Sequence, residues 1–386
     1  MDNQVQEYSK ISEFKKKILI AKRNKINFST AFVAVLAGIS FLLVLVFGKE
    51  TDLTAGSNYE YKTLKTNHTK ITFAGDVSPG RYLRATGEQK GFDVFYQDVK
   101  SVWKDSDVSI VNLEASPLSE KPNARNYSDI TANETKIRLD VTKDEVKALK
   151  DTGINLIGFA NNHASDYGIK GLQDSFSIFK ELNLEFVGAG NNINEAIKPY
   201  SKVINGKSVS IVGITDRAPF RVAGGYNLPR VFTTSYIYTD YELGRTFNSN
   251  DFNIVFIHWG TENALRPDSD IQELGRKYID MGADLVIGAH PHVLLPVEKY
   301  NGGAIVYSMG NFVFDQVSSR NPYSAIGSVY FNDSERFLEF LAIKSEKGIP
   351  IIQEDNSNMN KSFDALTRGL SIEDYEIKDG KLIIEF

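Results

Sequence analysis

Six short apolar runs in this chain end in polar residues, and that pattern limits the fold more than any other feature of the sequence. ITFAGD closes on Asp76, VSIVNLE on Asn112 and Glu114, and INLIGFANNH on Asn161, Asn162 and His163. NIVFIHWGTE closes on His258 and Glu262, ADLVIGAHPH on His290 and His292, and AIVYSMGN on Ser308 and Asn311. Runs of this length read as buried strands. Helical segments lie between them. Thr142-Lys-Asp-Glu145 is a capping box that opens a helix stopping near Gly153. Leu172, Phe176, Phe179 and Leu182 form an apolar stripe at helical spacing, and 267–281 predicts a further helix ended by Gly282. The alternation predicts an α/β domain. Ligand sites of open α/β sheets lie outside the carboxyl ends of the strands, so the six runs deliver their polar groups to one rim if the strands share a sheet.

The residue types on that rim point to metal. Four of the five histidines, His163, His258, His290 and His292, sit at these strand ends; His68 does not. A single histidine beside a strand is usually a hydrogen-bonded core or surface residue. Four of them with Asp76, Glu114 and Asn162 on similar termini form a ligand set. The chain has no cysteine, which removes disulfides, thiolate metal sites and cysteine nucleophiles together. Imidazole, carboxylate and amide oxygen without sulfur suit Mn, Fe or Zn. There are enough groups for two ions sharing a carboxylate, an arrangement that clamps attacking and leaving oxygens and lowers the pKa of water. Arg81, in the turn Gly80-Arg81, has a guanidinium suited to an anionic substrate, and equally to a surface salt bridge. Val187–Asn192 carries a G-x-G without the full dinucleotide fingerprint. A net charge of −5 gives no basic bias toward nucleic acid.

Charge is distributed unevenly. Residues 1–27 hold seven basic and three acidic side chains, +4, which leaves −9 on the remainder. This stub runs into Phe28–Phe47, twenty uncharged residues, long enough at about 1.5 Å per residue to cross a bilayer. The positive side stays in the cytoplasm, so the expected order is a cytoplasmic stub at 1–27, a single-pass anchor over 28–48 and an extracellular remainder at the cell membrane. A cleaved signal peptide is the rival, but the sequence after Phe47 lacks a convincing small-x-small site. Residues 49–69 read as a polar linker, 70–347 as the main domain, and 348–386 as a small appended piece ending in a strand at 381–386.

The ordered motifs GDVSPGR (75–81), NLEASP (112–117), ANNHASDYG (160–168), VGAGNN (187–192), HWGTE (258–262), IGAHPHVLLPVE (287–298) and YSMGNFVFDQ (307–316) resemble the CapA family of poly-γ-glutamate capsule biosynthesis proteins, relatives of calcineurin-like metallophosphoesterases. The resemblance implies a four-layer α/β/β/α sandwich of metallophosphoesterase type. It implies Asp76, Glu114, Asn162, His258, His290 and His292 as ligands of two divalent ions, with Glu114 bridging, and His163 as the catalytic histidine; with the guanidinium of Arg81 suited to an anionic substrate, the expected catalytic residues are His163, Asp76 and Arg81. It implies poly-γ-glutamate or a related anionic substrate, and partnership with membrane lipid and with membrane-bound capsule synthase subunits of the CapB, CapC and CapE type. Two functions follow: a metal-dependent hydrolase or transferase, or a non-catalytic polymer-binding scaffold in the same complex. Ser78-Pro79, Asn263 and Ala289 depart from the usual pattern without touching the proposed ligands.

Overall fold

The computed structural model describes residues 68–122, 137–217, 226–315 and 321–386. The basic stub, the apolar run Phe28–Phe47 and all but the end of the linker lie outside the described residues. Among the described residues no helix is long and apolar enough to cross a membrane.

The strands form two main sheets. In the larger, Thr69–Ser78, Val108–Leu113, Leu156–Gly158 and Glu185–Val187 run parallel in that order. Tyr323–Phe331 and Arg336–Glu346 extend the sheet antiparallel on the other side of Thr69–Ser78. In the smaller, Lys207–Thr215, Phe252–His258, Leu285–Ala289 and Gly303–Met309 are parallel neighbours, with Tyr200–Ile204 and Leu294–Tyr300 antiparallel at the edges. The chain passes from the smaller sheet to the larger at Gly310, after which Asn311–Phe314 pairs with Thr69–Ser78.

Strand residues alternate between faces, and here each face has its own core. Val209 and Ile211, with Phe252, Ile254 and Phe256, share one apolar cluster with Ile71, Phe73, Val108 and Ile110 of the larger sheet. The two sheets therefore pack face to face. The intervening residues Val212, Ile214, Val255 and Ile257 join Leu243, Ile271 and Tyr278 from helices Thr239–Phe247 and Ser269–Asp280. Helix Gly168–Glu181 covers the outside of the larger sheet, with Phe179 5.1 Å from Phe159 and Phe176 stacked 5.2 Å from Phe186. The layers run helix, sheet, sheet, helix.

The helix signals read from sequence are realised. Thr142 caps Lys143–Asp151 in a full capping box, and Gly153 (φ 113°) and Gly282 (φ 110°) follow the two predicted stops in left-handed conformation. The tail differs from expectation. Residues 348–386 are woven into the domain: Ile349–Ile352 and Lys381–Glu385 both pair with Arg336–Glu346, and Met359, Phe363, Leu382 and Ile384 are buried in the inter-sheet core. Helix Asn356–Leu366 stands between those strands and supplies Met359 and Phe363, so a helix does recur in the tail, while its strands add antiparallel to the sheet and need no parallel crossover.

Candidate metal centre

Six of the residues read as ligands meet at the carboxyl ends of both sheets. The rim is shared by two sheets, not borne by one. Parity explains much of it. Val108, Ile110, Asn112 and Glu114 alternate onto the inner face, so the apolar half of that stripe builds the core and its polar end enters the site. His258 likewise continues the inward set Phe252, Ile254, Phe256. Asp76 breaks the rule. Strict alternation from Ile71 and Phe73 would turn it away, but the pairing with Val108–Leu113 shifts between Phe73 and Asp76. Irregularities of this kind re-aim side chains beside active sites.

Glycine makes the junction possible. A Cβ on Gly75 would lie 1.8 Å from the Gly310 carbonyl oxygen, which accepts the Asp76 N–H at 3.0 Å. Gly310 itself has φ 68°. The Gly-Asp and Gly-Asn pairs of the sequence are thus the two sides of one backbone contact, and Asp76 and Asn311 face each other in register.

At the centre stands Glu114, fully buried, with neither carboxylate oxygen hydrogen-bonded. The Nε2 atoms of His258, His292 and His163 lie 3.7, 3.8 and 4.0 Å from the same Glu114 oxygen, too far for hydrogen bonds. His290 Nδ1 is buried and also lacks a partner. Ligand atoms of Glu114, His290 and His292 lie within 4.8 Å of one another, as do those of Asp76, Glu114 and His258, so Glu114 belongs to both triads.

The surrounding bonds orient these groups. Asp76 accepts from Asn112 Nδ2 at 2.7 Å and from the His290 backbone N–H at 3.1 Å. His292 Nδ1 faces Asn311 Oδ1 at 2.8 Å and Asp76 Oδ2 at 3.1 Å, which places its proton on Nδ1 and leaves Nε2 toward Glu114. His163 Nδ1 is held by Asp166 at 2.7 Å, with the same result. Asn161 donates to Asn112 Oδ1 and to the Leu113 carbonyl, and its own Oδ1 accepts the His163 N–H. Asn162 Oδ1 meets His258 Nε2 at 2.8 Å. His290 (φ 95°) and His292 (φ 58°) both occupy left-handed backbone, a conformation concentrated at functional sites.

Without an ion, the electrostatics are unfavourable. Burial pushes the Glu114 carboxyl well above the usual carboxylate range; the His292 charge opposes this, and Asp76 adds to it. Burial and the neighbouring imidazoles hold His258 far below its ordinary value and His290 down to about 3. Burial also depresses His292, but Glu114 and Asp76 overcome it and raise the group to about 10. The two orphaned, desolvated oxygens of Glu114 and the orphaned Nδ1 of His290, set beside Asp76, His258 and His292, are what a divalent cation satisfies, so the donor set fits a metal.

Arg81 stands apart from this cluster. Its guanidinium is bidentate on Asp315, at 2.9 Å from Nε and 2.5 Å from Nη2, and Asp315 also accepts the Tyr82 N–H. Of the two sequence readings for Arg81, the salt bridge is the one formed. Arg217 is a cation the sequence reading missed. Thr215 pairs in register with His258, the Asp216 N–H and the Thr215 hydroxyl both donate to the His258 carbonyl, and Arg217 follows directly. Its charge is felt by both His258 and His290, its Nε has no hydrogen-bond partner, and its ion-pair contact is the 3.4 Å approach to Asp216. The signal was present: VSIVGITDR (209–217) is a seventh apolar run with a polar end. Asn112, Asn161, Asn311 and Asp166 are the other supporting residues that had no assigned role.

The model of the bacterial capsule synthesis protein family PGA_cap matches residues 70–316, the stretch that carries every residue of this cluster. The chain belongs to this family. It is similar to the PGA biosynthesis protein CapA of Bacillus subtilis, 32% identical with 96% of each chain covered. It is also similar to the capsule biosynthesis protein CapA of Bacillus anthracis, 31% identical over 78% of this chain and 73% of that one. Among solved structures it has a loose likeness to the calcineurin-like phosphoesterase YfkN of Bacillus subtilis, with 14% identity, 74% of this chain and 88% of that chain covered, and a TM-score of 0.40.

Proposed function

We propose that this CapA-family chain is a membrane-anchored, extracellular component of a poly-γ-glutamate capsule machinery, with a dinuclear-metal, hydrolase-type site of metallophosphoesterase character acting on the polymer or a related anionic substrate. The observation that carries the reading is Glu114, a buried carboxylate with both oxygens orphaned and three imidazole Nε2 atoms within 4.0 Å of one of them. The relatives' names supply the polymer, and the run Phe28–Phe47 behind a basic stub supplies the anchor.

Asp76, Glu114, Asn162, His258, His290 and His292 would hold the ions. Such ions supply Lewis acidity and make water acidic enough to ionise near neutral pH. The chain's own residues do the rest. His163, with Nδ1–H donated to Asp166, presents Nε2 toward the centre and can take or give a proton there. Asn112 and Asn311 fix Asp76 and His292, so the ligands need little reorganisation. Arg217 stands where it can orient an anionic group beside His258 and His290. The membrane-bound synthase subunits are the partners this role requires.

The test uses the full chain. Metal content is measured first, then hydrolysis of phosphoesters and of poly-γ-glutamate by the wild type, Asp76→Ala and His163→Ala. The expected result is bound metal and turnover in the wild type, metal loss in Asp76→Ala, and metal without turnover in His163→Ala. Metal retention with no turnover on any of these substrates, and normal capsule in cells carrying either variant, would leave only the scaffold role.

A further inference from the structure

A cleft of about 480 Å³ adjoins the metal centre, and Asn311 belongs to both. On one side Asn311 Oδ1 holds His292 Nδ1; on the other the residue lines the cleft beside Phe314, whose ring lies 5.0 Å from the His292 ring. The volume is in the range of small-molecule sites. Tyr82, 75% exposed at the start of helix Arg81–Lys90, and Tyr323 supply two further aromatic surfaces.

The charges in the cleft are unbalanced. Asp315 is its acidic lining residue, and Arg81 neutralises it. Lys347 also lines the cleft; it is exposed and makes no ion pair among the described residues. Lys361 stands behind Tyr323, donating to its hydroxyl at 2.8 Å and lying 4.9 Å over its ring. The wall therefore carries more cation than anion, in a chain whose net charge is −5.

The position of Lys347 is informative in itself. It and Gly348 form the two-residue connection between Arg336–Glu346 and Ile349–Ile352, with φ 53° and 86°. Hairpins of this kind favour Asn-Gly or Asp-Gly, because both residues must be left-handed. Turn geometry does not select a lysine here, and a lysine places its ammonium at the cleft.

We infer that this cleft, joined to the metal centre through Asn311, binds the carboxylate-bearing chain that flanks the reacting bond, with Lys347 as its counter-cation and Tyr82 and Phe314 as the surfaces on which the aliphatic part lies. The inference rests on the reading of the centre as one that acts on an anionic polymer. A polymer with a carboxylate on each repeat alternates methylene and carboxylate segments, which match the aromatic surfaces and the Lys347 ammonium of the cleft.

The experiment measures binding of γ-linked glutamate oligomers of increasing length to the metal-loaded full chain. The variants are Lys347→Glu and Tyr82→Ser, with Lys378→Glu on the outer strand Glu376–Lys378 as a control for general charge. Lys347→Glu is expected to weaken binding on the order of tenfold, to flatten its salt dependence, and to leave metal content and hydrolysis of a small phosphoester unchanged. Tyr82→Ser weakens binding of the longer oligomers more than the shorter. If the wild type binds and Lys347→Glu binds equally well, or is matched by Lys378→Glu, the cleft is not the site and the reading of the centre stands. If the metal-loaded wild type binds no oligomer, both are overturned.

Discussion

Glu114→Gln is the sharpest test of the metal reading, because it changes charge at one buried point and conserves shape. Both Glu114 oxygens lack hydrogen-bond partners, so the substitution breaks no hydrogen bond in the metal-free protein. Because Glu114 belongs to both candidate ligand triads, the same substitution would strike both proposed ions at once. An ion present at a hundred times its dissociation constant stabilises the folded state by about 2.7 kcal/mol, and two by about twice that. The compact unit spans Asn58–Phe386, and a unit of roughly 330 residues has an unfolding entropy near 0.7 kcal/mol/K. Each ion then raises the melting temperature by about 4 °C, and the pair by about 8 °C. Calorimetry of the full chain with Mn²⁺ and then with chelator is expected to show a downward shift of that size in the wild type and little shift in Glu114→Gln. After chelation the two proteins should melt within about 2 °C of each other, given how little contact is lost. A wild type indifferent to chelator, or a variant with the full shift, refutes the reasoning.

Further outcomes follow from the same geometry. Asp166→Asn removes the carboxylate that fixes the His163 tautomer, and should lower kcat on the order of 10–100-fold at unchanged metal content, whereas His163→Ala should lower it about 10²–10⁴-fold. Arg217→Ala should raise KM for an anionic substrate roughly tenfold or more and leave metal content unaltered, as measured by steady-state kinetics beside elemental analysis. Gly75→Ala should prevent folding or metal uptake, since its Cβ would collide with the Gly310 carbonyl, which expression and metal content report together. Lys70, far from the centre, is pushed down to about 8 by burial against the pull of Glu339. The unfolded chain therefore holds a proton that the folded chain lacks between about pH 8 and 10.5, so stability rises with pH across that window by up to about 3 kcal/mol. Lys70→Met should remove that rise in urea midpoints measured against pH.

Much of this fold is legible in the sequence where one local rule suffices. The capping box at Thr142 and the stops at Gly153 and Gly282 depend only on nearby backbone, and each forms as written. The inward stripe Val108, Ile110, Asn112, Glu114 follows from period-two alternation alone. Asp76 does not, because its orientation depends on a shift of pairing between Phe73 and Asp76, and no composition rule marks where a strand bulges. The partition of strands between two sheets is equally hidden. It turns on the crossing at Gly310 and on close backbone approach to Gly75, a contact between residues more than two hundred positions apart. Arg81 and Arg217 show the same limit from another side. Each is an arginine near a strand end, and only the distant Asp315 decides that the first is committed.

What the sequence does carry is the cost of the site. A protein free to optimise stability would not bury Glu114 without hydrogen bonds, leave His290 Nδ1 unpaired beside it, and hold His290 and His292 in left-handed backbone. Each departure costs on the order of 1–3 kcal/mol. Elsewhere the described buried carboxylates have partners: Glu145 with Arg84, Glu339 with Lys381, Asp315 with Arg81. Both unpaired oxygens of Glu114 and the unpaired His290 Nδ1 come together where the two sheets present their carboxyl ends. Packing alone gives no reason for that concentration, since an apolar residue at position 114 would satisfy the surrounding core better. A divalent cation gives one, because it offsets the repulsion between Glu114 and Asp76 and satisfies the orphaned imidazole as well.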